Sequence, residues 1–231
     1  MMTPCFKFVL AVLVTAAAAG ASRAASITVG DGNSGDGNSI PFSGGYQTIL
    51  NATEYQQVYD ASFFGSSSVS IESITFHAWR DSGANADGTY TLSLSTTSKA
   101  VNGLDATMSN NLGANDTVIF SGTLPAYGPT LTFHGAQPFV YDPTQGNLLL
   151  DIAISGVTSG SVAFYIAQNV DFVGSSRMVD GTAIGTNGIG LVTTFGIGDG
   201  AVPEPASLAM LATALPGALI LGRPRRHRRA G

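Results

Sequence analysis

Asn147-Leu148-Leu149-Leu150-Asp151-Ile152-Ala153-Ile154-Ser155 decides the fold class. Leu148, Leu150, Ile152 and Ile154 recur at every second position, with Leu149, Asp151, Ala153 and Ser155 between them. A period of two places the first set on one face of a β-strand and the second on the other. Thr89 to Thr96 repeats the pattern, with Tyr90, Leu92 and Leu94 inward. Ser161 to Gln168 does so with Val162, Phe164 and Ile166, and Thr117 to Ser121 puts Val118 and Phe120 on one face. Thr130 to Phe133, Phe139 to Tyr141, Arg177 to Val179 and Leu191 to Phe195 read as shorter strands. In Val69 to Ala78 the apolar parity switches between Ile71 and Ile74, which predicts a bulge near Glu72-Ser73 or burial on both sides. Tyr46 to Phe64 is ambiguous: Gln56, Gln57, Val58, Tyr59 and Phe63 suit a short helix, or a strand followed by a loop.

Asp-Gly or Asn-Gly pairs recur at 31–32, 36–37, 87–88, 102–103, 180–181, 187–188 and 199–200. Such pairs accept the positive φ of tight turns between strands. About nine or ten strands separated by turns every 8–12 residues predict an all-β fold, an antiparallel β-sandwich of jelly-roll-like kind. No strand–helix–strand rhythm points to a parallel sheet.

The two ends of the chain have a different character. Lys7 precedes an apolar run from Phe8 to Ala19 and then small residues, the pattern of a secretory signal helix over residues 1–25. Ala19-Gly20-Ala21 suits a cleavage site, with cuts after Ala24 or Ala25 as alternatives. Cys5, the only cysteine, lies inside this segment, so the exported body carries no thiol chemistry. At the other end stand Val202-Pro203-Glu204-Pro205, an uncharged run from Ala206 to Gly222, and then Arg223, Arg225, Arg226, Arg228 and Arg229. The prolines stiffen the first piece. The second, as a transmembrane helix, reaches roughly 25 Å against a hydrocarbon core of about 30 Å. The arginines form a positive-inside stop that leaves the rest of the chain on the far side of the membrane.

This order resembles the PEP-CTERM sorting tail of Gram-negative bacteria. The matching residues are Pro203, Glu204 and Pro205, the spacer with Leu208, Leu211, Leu215 and Leu221, and the arginine cluster. Pro216 departs from the usual spacer, which weakens the regularity of that helix. The resemblance implies a substrate of an exosortase, a membrane enzyme thought to cut near Pro-Glu-Pro, and an association with extracellular polysaccharide. Three body stretches look familiar from proteins with this tail: Tyr55–Tyr59 with Phe63-Phe64-Gly65, Leu92–Thr97, and Pro138–Pro143 with Gly146–Asp151. They imply a secreted β-domain and bring no catalytic residue with them.

The sequence divides into a signal peptide (1–25), an exported β-domain (26–201) and a sorting tail (202–229). The middle part has fourteen acidic side chains against three basic ones, Arg80, Lys99 and Arg177. That imbalance repels phosphate backbones and argues against nucleic-acid binding. Its two histidines, His77 and His134, lack any metal-ligand spacing, and no nucleophile elbow is present. Paired carboxylates would suit a glycosidase, but nothing in the sequence brings Glu54 and Glu72, the two glutamates of this part, together. The doubled pentapeptide Gly30–Ser39 contains Asp31, Asn33 and Asp36, weak candidates for Ca²⁺; Asp36 stands where the calcium loop requires glycine, and no bidentate glutamate follows. Trp79 and Arg80, at the mouth of a loop, are candidates for contact with a sugar ring, as are Tyr46, Tyr127 and Tyr141.

The expectation is a non-enzymatic surface or matrix protein without a cofactor, exported across the inner membrane. Its partners are an exosortase, membrane lipid through the C-terminal helix, and polysaccharide. A carbohydrate- or calcium-binding module and a secreted hydrolase are the alternatives.

Overall fold

The computed structural model describes residues 25–30, 37–42, 52–79, 86–125, 128–160, 163–166, 174–183 and 190–198. The strands are β1 (Ala25–Val29), β2 (Gly37–Asn38), β3 (Glu54–Tyr59), β4 (Val69–His77), β5 (Thr89–Thr97), β6 (Thr117–Gly122), β7 (Thr130–Tyr141), β8 (Asn147–Ser155), β9 (Phe164–Tyr165), β10 (Ser175–Val179), β11 (Thr182–Ala183) and β12 (Thr193–Ile197). Every strand pairing is antiparallel. One sheet runs β1-β12-β4-β7, a second β11-β10-β3-β8-β5-β6, and β2 pairs with β9. The three-residue to four-residue 3₁₀ turns Ala61–Phe64, Met108–Asn111 and Pro143–Gln145 are the helical elements of the described residues. Among those residues no helix is long and apolar enough to cross a membrane. Residues 1–24 of the signal peptide and the whole tail, 202–229, lie outside the described residues.

The two larger sheets enclose one core. Ile71, Ile74, Phe76, Phe133 and Phe195 from the first meet Tyr55, Tyr59, Leu92, Leu150 and Ile152 from the second. Phe42 sits at its centre, with ring centroids 5.1 Å from Phe76, 5.7 Å from Tyr90, 5.9 Å from Phe133 and 5.2 Å from Phe164. Tilted and edge-on rings at these spacings add favourable quadrupole contacts to the burial of large apolar areas.

β8 occupies the expected positions: Leu148, Leu150, Ile152 and Ile154 are buried and Ala153 and Ser155 exposed. The parity switch in β4 is a bulge at Glu72, since Ser73 faces Gly196 while Ile71 faces Ile197. Asp180 and Gly181, both with positive φ (44° and 74°), make the two-residue turn joining β10 to β11. Of the readings for 46–64, the strand and loop are found, with β3 followed by the 3₁₀ turn Ala61–Phe64.

Other expectations need correction. Val118 is 57% exposed and does not share a buried face with Phe120. Ser93 faces Val118 while Leu92 faces Phe120, so Ile119 is the extra residue of a bulge and turns into the core instead. Thr130–Phe133 and Phe139–Tyr141 are parts of one strand, β7. Ser73 faces His134 and Ile71 faces Phe139, so Gly135–Pro138 loops out without ending the strand. Of 161–168 the structure describes 163–166, where Phe164–Tyr165 is a strand, Ile166 bridges to Leu191, and Phe164 and Ile166 are buried as expected.

The segment between β5 and β6 (98–116) crosses the outer face of the second sheet. Asn102 N donates to Ser176 Oγ on β10 at 2.7 Å, and Gly113 N donates to Ser95 Oγ on β5 at 3.1 Å. This cover buries Gln56, Leu149, Ser93 and Ser95, side chains that strand alternation directs away from the core.

Candidate functional site

β3, Glu54-Tyr55-Gln56-Gln57-Val58-Tyr59, lies between β10 and β8 and is covered on both faces. Alternation sends Glu54 and Gln56 outward, under the 98–116 segment, and Tyr55, Gln57 and Tyr59 inward. Each face therefore carries polar groups removed from water, which demand partners.

On the outer face, Gln56 opposes Asp151 of β8. Gln56 Nε2 donates to Asp151 Oδ1 at 2.9 Å, to Glu54 Oε1 at 3.2 Å and to the Met108 carbonyl at 3.1 Å. Its Oε1 accepts from Asn111 Nδ2 at 2.7 Å, and Asn111 is fixed in turn by the backbone of Asp105. One amide thus serves two acids. Two carboxyls held on one amide, both raised above their ordinary values, favour keeping one proton between them. Burial, and then the charge of Asp151, push Glu54 up to about 7. Burial likewise raises Asp151. Asp180, which accepts from the backbone N of Thr53 and Glu54 at 3.1 and 2.9 Å, adds negative charge beside the pair.

Such a pair exchanges a proton near neutral pH. A glycosidase holds its two carboxyls about 5 Å apart or more, leaving room for the sugar carbon or a water. Between Glu54 and Asp151 stands the Gln56 amide, bonded to both, in the place a sugar carbon or water would need.

On the inner face, Tyr55 donates to Gln57 Oε1, which also accepts from Leu191 N at 2.8 Å. Gln57 Nε2 donates to the Leu191 carbonyl at 2.9 Å, and the Tyr59 hydroxyl meets Thr193 Oγ1 at 2.9 Å. These bonds tie the second sheet to the strand leading into β12 of the first. Arg177, 4% exposed, opposes Gln57 on β10 and places its charge near the Tyr55 hydroxyl. Burial pushes the Tyr55 hydroxyl up to about 12, with the Arg177 charge opposing.

The residues expected to carry function are placed as follows. Val202, Pro203, Glu204, Pro205 and Arg223, Arg225, Arg226, Arg228 and Arg229 lie outside the described residues, as do Asp31, Asn33, Asp36, Arg80, Tyr46 and Tyr127. Trp79 is half-buried, its backbone N donating to the Ala163 carbonyl at 2.9 Å. Gly37 of β2 lies against its indole so closely that a Cβ there would collide, which covers part of the ring. Tyr141 belongs to the core and offers no platform for a sugar: it is fully buried, meets Phe64 edge-on and donates to the Gly146 carbonyl at 2.8 Å. His77 Nε2 meets Thr194 Oγ1 at 2.8 Å, and burial lowers its pKa. His134 is exposed on β7 opposite Ser73. Glu72 stands on the bulge of β4, in the other sheet from Glu54. The acid beside Glu54 is Asp151. Its outward position was readable from the alternation of β8, but the register that brings β8 to β3 was not. Among the described residues no group of three or more His, Cys, Asp or Glu is placed to hold a metal ion.

Comparison with known protein families, with curated proteins and with solved structures finds no match.

Proposed function

We propose that this chain is an exported, non-enzymatic surface or extracellular-matrix protein. A leader takes it across the inner membrane, an exosortase handles its C-terminal segment, and its β-rich body associates with exopolysaccharide outside. The observation that carries this reading is the order of pieces in 202–229: Pro203-Glu204-Pro205, the uncharged Ala206–Gly222, then five arginines within seven residues. A stiff turn, an apolar segment of nearly membrane length and a basic stop form an address that lipid and a membrane-embedded enzyme can read.

The body's geometry supports the reading in two ways. Strand orders β1-β12-β4-β7 and β3-β8-β5-β6, with β10 and β11 appended beside β3, support a jelly-roll reading, a fold whose loops and faces serve binding and coating as readily as catalysis. Ala25 pairs with Ile197, so leader and tail attach to one edge of one sheet.

The test removes Val202–Gly231 and follows surface display and molecular mass in a host with its exosortase. The truncated chain is expected to lose surface retention, and the full chain to shorten near Pro203-Glu204-Pro205 only when the exosortase gene is intact. Identical localisation and processing of both chains would refute the proposal.

A further inference from the structure

Arg177 has no carboxylate partner among the described residues. It is 4% exposed, yet its Nε and Nη1 have no hydrogen-bond partner among the described residues. The ion pair found among those residues joins Lys99 to Asp105 at 3.7 Å, and no carboxylate pairs with Arg177. The Ser175 hydroxyl, two residues back on the same face of β10, is also buried and unpartnered. Burying an ion is costly unless an opposite charge or a full set of hydrogen bonds replaces water, and an arginine cannot discharge itself by losing a proton. Buried donors left unmet at one spot mark a place prepared for an acceptor.

The surroundings are built for one. Gln57, directly opposite Arg177, is locked by Leu191 N and O, and Tyr55 by Gln57, so neither swings to neutralise the guanidinium. The roof is bare backbone: a Cβ on Gly190 would come within 2.6 Å of Ser175 Oγ and 2.7 Å of Gln57 Nε2.

We propose that Arg177 and Ser175 form a binding site for a carboxylate group on the inner face of β10, beside Gln57. Guanidinium N–H donors and a hydroxyl match a carboxylate in charge and in hydrogen-bonding sense. Its source is either a small free acid or a uronic acid unit of a polysaccharide. The site does not depend on the sorting reading of the tail, and either proposal survives failure of the other.

The experiment titrates the full-length chain, purified in mild detergent, with sodium acetate, glucuronate, an oligogalacturonide and, as controls, glucose and sodium sulfate at matched ionic strength. The readouts are the thermal midpoint and the side-chain Nε–H resonance of arginine. Acetate and glucuronate are expected to raise the midpoint and shift one arginine resonance, and glucose to do neither. Response to the oligogalacturonide as well assigns the group to polysaccharide; response to the small acids alone assigns it to a free carboxylate. Arg177→Met is expected to raise the midpoint of the anion-free protein, because an unpaired charge is gone, and to abolish the acetate response. Ser175→Ala, which preserves the fold if Arg177→Met does not, is expected to weaken acetate binding at least about tenfold, the effect of losing one hydrogen bond to a charged group. Binding of sulfate alone, no response to any carboxylate, or an anion-free Arg177→Met protein less stable than its parent overturns the proposal.

Discussion

Replacing Glu54 by Gln isolates the shared proton on the outer face. The folded protein raises Glu54 from 4.5 to about 7, chiefly by burial and then by the charge of Asp151. The native state therefore holds a proton that the unfolded chain has released. Stability from this group is fully present below about 4.5 and is lost as pH rises through about 7. At about 1.4 kcal/mol per unit the shift corresponds to several kcal/mol, but Glu54 is partly exposed and solvent screens its neighbours, which leaves roughly 1–2 kcal/mol. For a domain of this size that is roughly 2–8 °C in the thermal midpoint. Gln keeps the shape of protonated Glu, cannot ionise, and donates its amide to the Asp151 carboxylate.

The assay is thermal unfolding of both proteins by circular dichroism from pH 4.5 to 8 at one ionic strength. The two midpoints are expected to coincide at the acid end, with Glu54→Gln the more stable by that margin at pH 8. Taking the difference matters, because His77 titrates in the same window with the opposite sign. Burial lowers its pKa, so its contribution is present above about 6.5 and is lost as pH falls. That term is common to both proteins and cancels. Parallel curves, or a Glu54→Gln protein less stable at pH 8, would refute the idea that Glu54 and Asp151 share a proton.

Three further outcomes are expected. Phe42→Ala empties the centre of the aromatic cluster, where Phe42 is fully buried, and is expected to cost about 3–5 kcal/mol in chemical denaturation. Gly146→Ala places a Cβ against the Thr97 carbonyl at φ 145°, a backbone state nearly exclusive to glycine, and is expected to cost about 1–3 kcal/mol by the same measurement. Asp87 accepts from Thr158 N at 2.7 Å and Ser159 N at 2.8 Å, and with the Thr158 hydroxyl these bonds hold its carboxyl well below the usual range. Asp87→Asn is expected to lower the thermal midpoint at pH 7 and speed proteolysis at 156–160, with the difference shrinking as pH falls below about 4, where the unfolded carboxyl is already protonated.

The parts legible in the sequence are those where one local rule decides. β8 is buried on its core face by a strict period of two, and its ends were readable to the residue. The bulge at Glu72 was readable because apolar residues on both sides of it disagree in parity. Val118-Ile119-Phe120 carries apolar side chains at three successive positions, so parity says nothing there, and a bulge set by the neighbouring β5 decides which of them turns inward. Gly135–Pro138 reads as a break because proline cannot donate to a ladder, yet the chain loops out and rejoins β4. β1 offers only Ile27 and Val29 as an alternating pair, too short a pattern to read as a strand without its partner β12. The tail lies outside the described residues, and its proposed reading rests on the order of residue types alone.

The polar clusters were hidden because β3 breaks the usual economy of a sheet. An edge-facing strand surface normally meets water, and glutamate or glutamine on it needs no explanation. Here the 98–116 segment lies across that surface and withdraws Gln56 completely. Once the water is gone, Glu54 and Asp151 have one amide donor between them and must take up a proton to make good the shortage. On the opposite face the same strand directs Tyr55 and Gln57 toward Leu191, which leaves Arg177 across from them with Nε and Nη1 unused. The two sites are therefore one problem with opposite signs: too few donors on one side of β3, too few acceptors on the other. A proton solves the first from within; only a group of negative charge brought from outside the described core solves the second.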